Sequence, residues 1–545
     1  MTILTIPKAR FEKEIGKLDE KMLDRIAMFG TPVEALTDSE LQIEIFPNRP
    51  DLLSYQNYKM AISAFLGKSK GIKKIKLNPL SKNYRVIVEK AVSDVRPYTA
   101  CAVIKGIKFN DKKIKEIIDI QEKLHLTLGR KRKKAAIGIY PLDKISFPIK
   151  FTAMAPEEIK FQPLEFPSEI NGKQILSKHP AGREYGELLK GLEKYPVFID
   201  SNKEILSMPP IINSHKTGKI AEDTKDLFIE CSGFEIENLS KILNILVCTL
   251  HSMGGEIYPV EIAYAKNPIK TPDLTHQKIK ICAEKSNSLL GLNLKEKDIT
   301  TLLEKMGHEI SGKNVLIAPW RTDIMHEVDL IEDIAIAYGY ENFIPEMPKI
   351  ATIGEQDKKE SIKSKIAGLL VGLGLLETSS YHLTTKEAQI KNMGEKDFIK
   401  VIESKTEYNL LRKDLSHCLL RILSENKDVE YPQEIFEIGR VFKNAGESII
   451  EKDSLAIALA PGNFTKMKQI FEYISRMTNV QIVLENPSLI PVHLIEGRTA
   501  EIKLGKQTIG FIGEVHPRIL SNFKIKMPVS LLEIELDELM KMIVE

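Results

Sequence analysis

Residues 318–340, Ala-Pro-Trp-Arg-Thr-Asp-Ile-Met-His-Glu-Val-Asp-Leu-Ile-Glu-Asp-Ile-Ala-Ile-Ala-Tyr-Gly-Tyr, constrain the fold of this chain most tightly. They hold its only tryptophan, Trp320, and a helix-length apolar run with carboxylates inside it. On a helical wheel of about 100° per residue, Glu332 and Asp333 fall within about 60° of Asp329. Ile331, Ile334, Ala335 and Tyr338 lie opposite, Leu330 and Ala337 fill one flank, and Ile336 sits among the acids. The pattern predicts a helix buried nearly all round. Carboxylates on such a helix need a metal, a basic partner or a proton. The alternative is an acidic first turn that complements the helix dipole and points at water.

Asp323 lies just upstream, between Pro319 and the helix. A loop carboxylate beside a helical carboxylate stripe can surround a hard cation with oxygens. His326-Glu327 is followed by Val-Asp-Leu, so a His-Glu-x-x-His zinc pattern fails. A metal here would be magnesium or calcium rather than zinc.

A length of 545 residues exceeds one core and predicts roughly three to five domains. Net charge is only +3 against 78 basic and 75 acidic residues, so contact with a polyanion has to come from local patches. The five cysteines are scattered, with no pair at metal-ligand spacing, which predicts reduced thiols and a cytoplasmic protein. The longest apolar runs fall short of the roughly 18 residues that span a bilayer, so no membrane partner is expected.

The pattern along the chain predicts an α+β, multidomain protein. Residues 1–80 form a first unit, with a helix near 51–66 stopped by Gly67 and a basic linker or edge at 68–76. Residues 81–268 form a second unit. Its predicted strands lie at 99–109, 135–140, 196–200 and 227–232. One helix starts from Asn110 or Asp111 and closes at Gly129, and another runs over 237–253. Residues 270–345 contain the acid helix, preceded by a strand at 278–282, a helix at 300–307 and a strand at 314–318. Residues 355–545 open with a helix at 360–373. Strands follow at 377–382, 434–442, 455–459, 481–484, 498–504, 508–515 and 529–535, with an amphipathic helix through Met467, Ile470, Phe471, Ile474 and Met477. Such strands predict a largely antiparallel sheet flanked by helices.

Three separated motifs carry a family resemblance. They are Asn48-Arg-Pro-Asp-Leu-Leu-Ser54, Pro209-Pro-Ile-Ile-Asn213 with Asp223-Thr-Lys-Asp-Leu-Phe-Ile-Glu230, and the run from Arg321 to Tyr340. In this order they resemble the phenylalanyl-tRNA synthetase beta subunit of archaeal and eukaryotic type, over essentially the whole chain. The resemblance implies a B1-like domain at 1–80, a B3/B4 editing domain at 81–268, a B5 domain at 270–345 and a catalytic-like B6/B7 domain at 355–545 built on a class II synthetase sheet. It implies an α2β2 heterotetramer with an alpha subunit that binds ATP and phenylalanine, with tRNA(Phe) as the other partner. It assigns Asp323, Asp329, Glu332 and Asp333 to a Mg2+ site shared with that subunit.

The fourth unit departs from an active class II pattern. Ile438-Gly-Arg-Val-Phe442 and Ile509-Gly-Phe-Ile-Gly-Glu-Val515 lack the full set of phosphate-binding residues, so the activation site is expected in the alpha subunit. A phenylalanine pocket rejects tyrosine only about 100-fold, so a second, hydrolytic sieve is useful. The family's B3/B4 module hydrolyses Tyr-tRNA(Phe), and the matching positions here are Ser207, Asn213, Glu230 and Ser232. Glu230 is expected to take the tyrosyl hydroxyl, the other three to orient the ester or water. His215 is a nearby base candidate, although a lone loop histidine is more often solvated. Residues 130–134, Arg-Lys-Arg-Lys-Lys, hold a phosphate backbone or form a solvated loop. Residues 48–54 are expected to be structural, with Asn48 and Asp51 in turn and cap roles. A free-standing aminoacyl-tRNA deacylase and an RNA-binding paralogue are the alternatives.

Overall fold

The computed structural model describes residues 2–265, 267–391, 398–402, 404, 406–446 and 448–544. They fall into two compact units, Met1–Met347 and Pro348–Glu545.

In the first unit, Glu40–Ile45 pairs antiparallel with Thr2–Pro7 on one side and Val33–Leu36 on the other. The predicted helix near 51–66 divides in two. Pro50–Leu53 is a single 3-10 turn, and the α-helix Tyr55–Phe65 starts after Ser54, whose Oγ accepts from Asn57 N at 3.2 Å. Asp51 is therefore not the cap: both of its oxygens are held by Arg49, each at 2.9 Å.

A ten-stranded sheet follows. We label its site-bearing strands β1 (Tyr98–Lys105), β2 (Ala135–Pro141), β3 (Ile205–Met208) and β4 (Leu227–Gly233). Strand β4 lies between β1 and β2, antiparallel to both, and is buried along its whole length. Helix α1 (Asp111–Leu126) covers β2 and starts at Asn110, whose Oδ1 accepts from Lys113 N at 2.9 Å. Helix α2 (Ile236–Ser252) packs on β1 and β4 through Leu239, Leu243, Leu246 and Leu250. Buried Asn244 on α2 donates to Asp273 O at 2.9 Å and Pro319 O at 3.1 Å, which ties the segment before Trp320 to this helix.

Residues after 276 form a small third layer. Asn314–Ile317 is the middle strand between Gln277–Lys280 and Glu309–Ser311. The acid helix is α3 (Glu327–Tyr338). It buries Leu330, Ile331, Ile334, Ala335 and Ala337, the broad apolar face of the wheel, but Val328 and Glu332 are exposed, so the helix is not buried nearly all round. One continuous core runs from Phe11 and Ile43 through Ile229 and Leu243 to Trp320 and Ile334.

The second unit is a seven-stranded sheet in the order Leu376–Glu377, Gln433–Ala445, Ser448–Ala460, Ser530–Glu535, Gln507–Val515, Leu494–Leu504, Ile482–Glu485. Every pairing is antiparallel except the first. Period-two alternation divides the side chains between two cores. Leu532 and Ile534 face a core covered by Lys358–Gly372, Phe464–Thr478 and Leu536–Val544, while Leu531 faces one closed by Ser416–Glu425 and Pro517–Asn522. The strand expected over 377–382 shrinks to Leu376–Glu377, and the helices Ser416–Glu425 and Leu536–Val544 add to the predicted elements.

Candidate functional site

Strand β4 aims Glu230 at a cavity of 510 Å3 beside β2, the outermost strand of the sheet. The cavity is walled by α1 through Ile118 and Gln121, by residues 209–213, and by Gly218 and Ile220. Glu230 is 2% exposed. Its Oε1 lies 3.2 Å from Tyr140 Oη, which donates between it and Asn213 Oδ1 at 3.4 Å. Its Oε2 has no hydrogen-bond partner. Burial pushes the Glu230 carboxyl up to about 8, against the opposing pull of the Arg96 charge and the Tyr140 and Ser232 hydroxyls.

Asn213 lines the cavity and pairs across the sheet with Ser207 of β3. Ser207 is buried and its Oγ makes no hydrogen bond. His215 also lines the cavity, with a buried Nδ1 that has no partner, so it is not simply solvated. Ser232 adjoins Glu230, and its hydroxyl opposes the rise of that carboxyl. It does not line this cavity and is fully buried, its Oγ accepting from Arg96 Nε at 3.1 Å and its carbonyl from Arg96 Nη2 at 2.6 Å. The structure thus brings Glu230 and Asn213 to one cavity, while Ser207, paired with Asn213, and Ser232, beside Glu230, are both buried outside its lining.

Residues that sequence reasoning missed complete the cavity. Gly138 on β2 faces Glu230 across the ladder; a Cβ there would stand 2.3 Å from Tyr140 Oη and 2.5 Å from Glu230 Oε1. Gly218 makes similar room, with a Cβ landing 2.8 Å from Asn213 Cβ. A glycine inside the strand run 135–141 is the signal that could have marked the close approach. Arg132 departs from both readings of the basic run. It is half-buried and donates to Ile211 O at 2.9 Å and Glu122 Oε1 at 2.9 Å, and its guanidinium lies 4.4 Å from the Tyr185 ring centroid. It latches the wall formed by residues 209–213.

The four carboxylates of the acid segment do not converge. Asp329 caps α3, its Oδ2 accepting from Met325 N at 2.8 Å and His326 N at 2.7 Å. Asp323 takes Arg321 Nε at 2.9 Å and Nη2 at 2.8 Å. Asp333 is buried and accepts from Arg321 Nη2 at 2.8 Å and His308 Nε2 at 2.6 Å. Burial alone would raise the Asp333 carboxyl, but Arg321 and His308 outweigh it and hold it well below the usual range. Glu332 is exposed. Among the described residues, no group of three or more His, Cys, Asp or Glu could hold a metal ion. The set therefore does not fit a magnesium cage built by this chain alone: basic partners neutralise two of its carboxylates and a third closes a helix end.

Comparison with known proteins agrees with this architecture. Residues 97–245 match the B3/4 domain family, residues 279–340 the tRNA synthetase B5 domain, and residues 344–536 the phenylalanyl tRNA synthetase beta chain CLM domain. The crystal structure of an N-terminal fragment of the phenylalanyl-tRNA synthetase beta subunit from Pyrococcus horikoshii superposes with TM-score 0.59 at 36% identity, covering 62% of this chain and 99% of that one. The phenylalanine–tRNA ligase beta subunit of Archaeoglobus fulgidus is 37% identical over 546 residues, covering 98% of each chain. That of Pyrococcus horikoshii is 38% identical over 502 residues, covering 89% of each. Such modules on this fold define a chain of an aminoacyl-tRNA ligase. The chain belongs to the phenylalanine–tRNA ligase beta-subunit family.

Proposed function

We propose that this chain works with an alpha subunit to attach phenylalanine to tRNA(Phe), and that its own chemistry is hydrolysis of tyrosine mis-esterified to that tRNA. The observation that carries the editing reading is the unpartnered Oε2 of buried Glu230 at the wall of the 510 Å3 cavity. With its carboxyl pushed up to about 8, Glu230 is protonated at neutral pH. It can donate to a phenolic oxygen from one oxygen while the other accepts from Tyr140. A phenylalanyl ring offers that acid nothing, and a site built around a hydroxyl rejects the analogue lacking it strongly. Water then attacks the ester carbonyl; the new C–O bond forms, the bond to the ribose oxygen breaks, and that oxygen takes the proton. Asn213 and Ser207 orient the carbonyl or the water, with His215 as the base candidate.

The second unit supports placing activation in the partner. Arg412 is buried against Glu437 at 2.6 Å, Arg440 pairs with Glu451 at 2.8 Å and Arg498 with Glu514 at 2.6 Å, so the three strand-associated arginines are already held by carboxylates. Magnesium at the acid helix belongs to this reading only as a shared site, with further oxygens from the alpha subunit, because Glu332 alone of the four projects outward. Co-expression with the alpha subunit, gel filtration and deacylation of Tyr-tRNA(Phe) test the proposal. Glu230→Ala should abolish deacylation and leave Phe-tRNA(Phe) formation intact; unchanged deacylation removes Glu230 from the site. A chain that deacylates but does not assemble would be the free-standing deacylase instead.

A further inference from the structure

A second cavity, of 420 Å3, is lined by Phe234 and Glu235, the residues that directly follow β4. It is lined by Arg96, Lys133, Lys134, Phe234, Glu187 and Glu235, with Leu189 and Pro196 among its apolar walls. Arg96 is 3% exposed, yet it forms no ion pair among the described residues; its partners are the hydroxyl and carbonyl of Ser232. Buried guanidinium groups are normally matched by a carboxylate or phosphate. Glu230 is the acid that acts on Arg96 across space, and burial still lowers Arg96 to about 10. The rim carboxylates do not serve Arg96: Glu187 pairs with Lys190 at 2.9 Å and Glu235 lies 3.8 Å from Lys134 Nζ. Lys133 is exposed and makes no ion pair among the described residues. Phe234, half exposed, presents its ring with the Arg96 guanidinium 5.4 Å from its centroid, a surface on which a base can stack.

We propose that this cavity is a phosphate-binding subsite, with Arg96 and Lys133 as the anion ligands and Phe234 as a stacking platform for the attached nucleoside. The source of the phosphate is the 3′ end of an RNA or a free nucleotide. Ser232, which holds Arg96, is two residues from Glu230 on the same strand face, about 7 Å away. A phosphodiester seated here would leave the terminal ribose within reach of the cavity beside Glu230. The RNA source therefore rests on the editing reading, while the phosphate subsite does not.

Calorimetric titration of the full chain at low salt, with inorganic phosphate, AMP and an unesterified CCA trinucleotide, tests this. The trinucleotide carries no amino acid, so its binding is independent of hydrolysis. It should bind, weaken about tenfold in Lys133→Glu, and be lost in Arg96→Gln. Binding of phosphate and AMP without the trinucleotide upholds the subsite and assigns it to a free nucleotide. No binding of any probe at millimolar concentration, or binding indifferent to Lys133→Glu, overturns the proposal. Lys133 is on the surface, so that variant decides the matter even if Arg96→Gln fails to fold.

Discussion

Replacing Glu230 with glutamine should make this chain more stable, and increasingly so as pH rises. The Glu230 carboxyl titrates at about 8 in the fold against an ordinary 4.5. Below about pH 4.5 it is protonated in both the folded and unfolded states, and ionisation costs nothing. Between 4.5 and 8 the unfolded chain loses the proton while the folded chain keeps it. Folding then takes up a proton, and stability falls by about 1.4 kcal/mol per pH unit. Between pH 5 and pH 7 the loss is about 2–3 kcal/mol, and it levels off once pH passes the folded value. Glutamine cannot ionise, so the variant lacks this slope. Urea unfolding followed by Trp320 fluorescence reports it, because Trp320 shares a hydrophobic core with Ile229 and Cys231 of the same strand as Glu230. The gap between variant and parent should widen across that pH range. A constant gap would refute the reasoning, since it would mean that Glu230 is ionised in the fold and its cavity well hydrated.

Three other substitutions test the surroundings of Glu230 and of the acid helix, and a fourth tests the metal. Gly138→Ala drives a methyl to 2.3 Å from Tyr140 Oη and 2.5 Å from Glu230 Oε1; deacylation of Tyr-tRNA(Phe) should drop at least about 100-fold while Phe-tRNA(Phe) formation in the heterotetramer holds. Tyr140→Phe removes the donor that stabilises ionised Glu230, so the pH at which the gap between Glu230→Gln and its parent levels off should move upward, and the chain should lose about 1 kcal/mol. Arg321→Ala strands Asp323 and leaves buried Asp333 with His308 as its one remaining partner, and should cost about 3–5 kcal/mol in the same urea assay. Glu332→Ala should leave the isolated chain's stability unchanged but weaken magnesium-dependent assembly with the alpha subunit; identical assembly curves would remove magnesium from this helix.

Local sequence patterns carried much of the fold. The apolar runs at 135–140 and 227–232 were legible as strands because both faces of β2 and β4 are buried. The acid helix was legible from its wheel, and Glu230 from its motif. The partners of these residues were not, because they come from far along the chain. Arg96 reaches Ser232 across 136 residues, and His308 reaches Asp333 across 25. A wheel reports which residues share a face, not what stands opposite, so three acids on the helix and one in the loop before it gave no sign that Arg321 and His308 hold two of them. Asp329 shows the reverse case: its spacing of three from His326 is a capping signature, masked by the attraction of a metal.

The central claim is that the Glu230 cavity recognises a phenolic hydroxyl. Calorimetric titration of the full chain with L-tyrosine and with L-phenylalanine tests it most directly. Tyrosine should bind at least about 100-fold more tightly than phenylalanine, and Glu230→Ala should erase the difference. Equal affinity for the two amino acids, or a preference that survives Glu230→Ala, would contradict it.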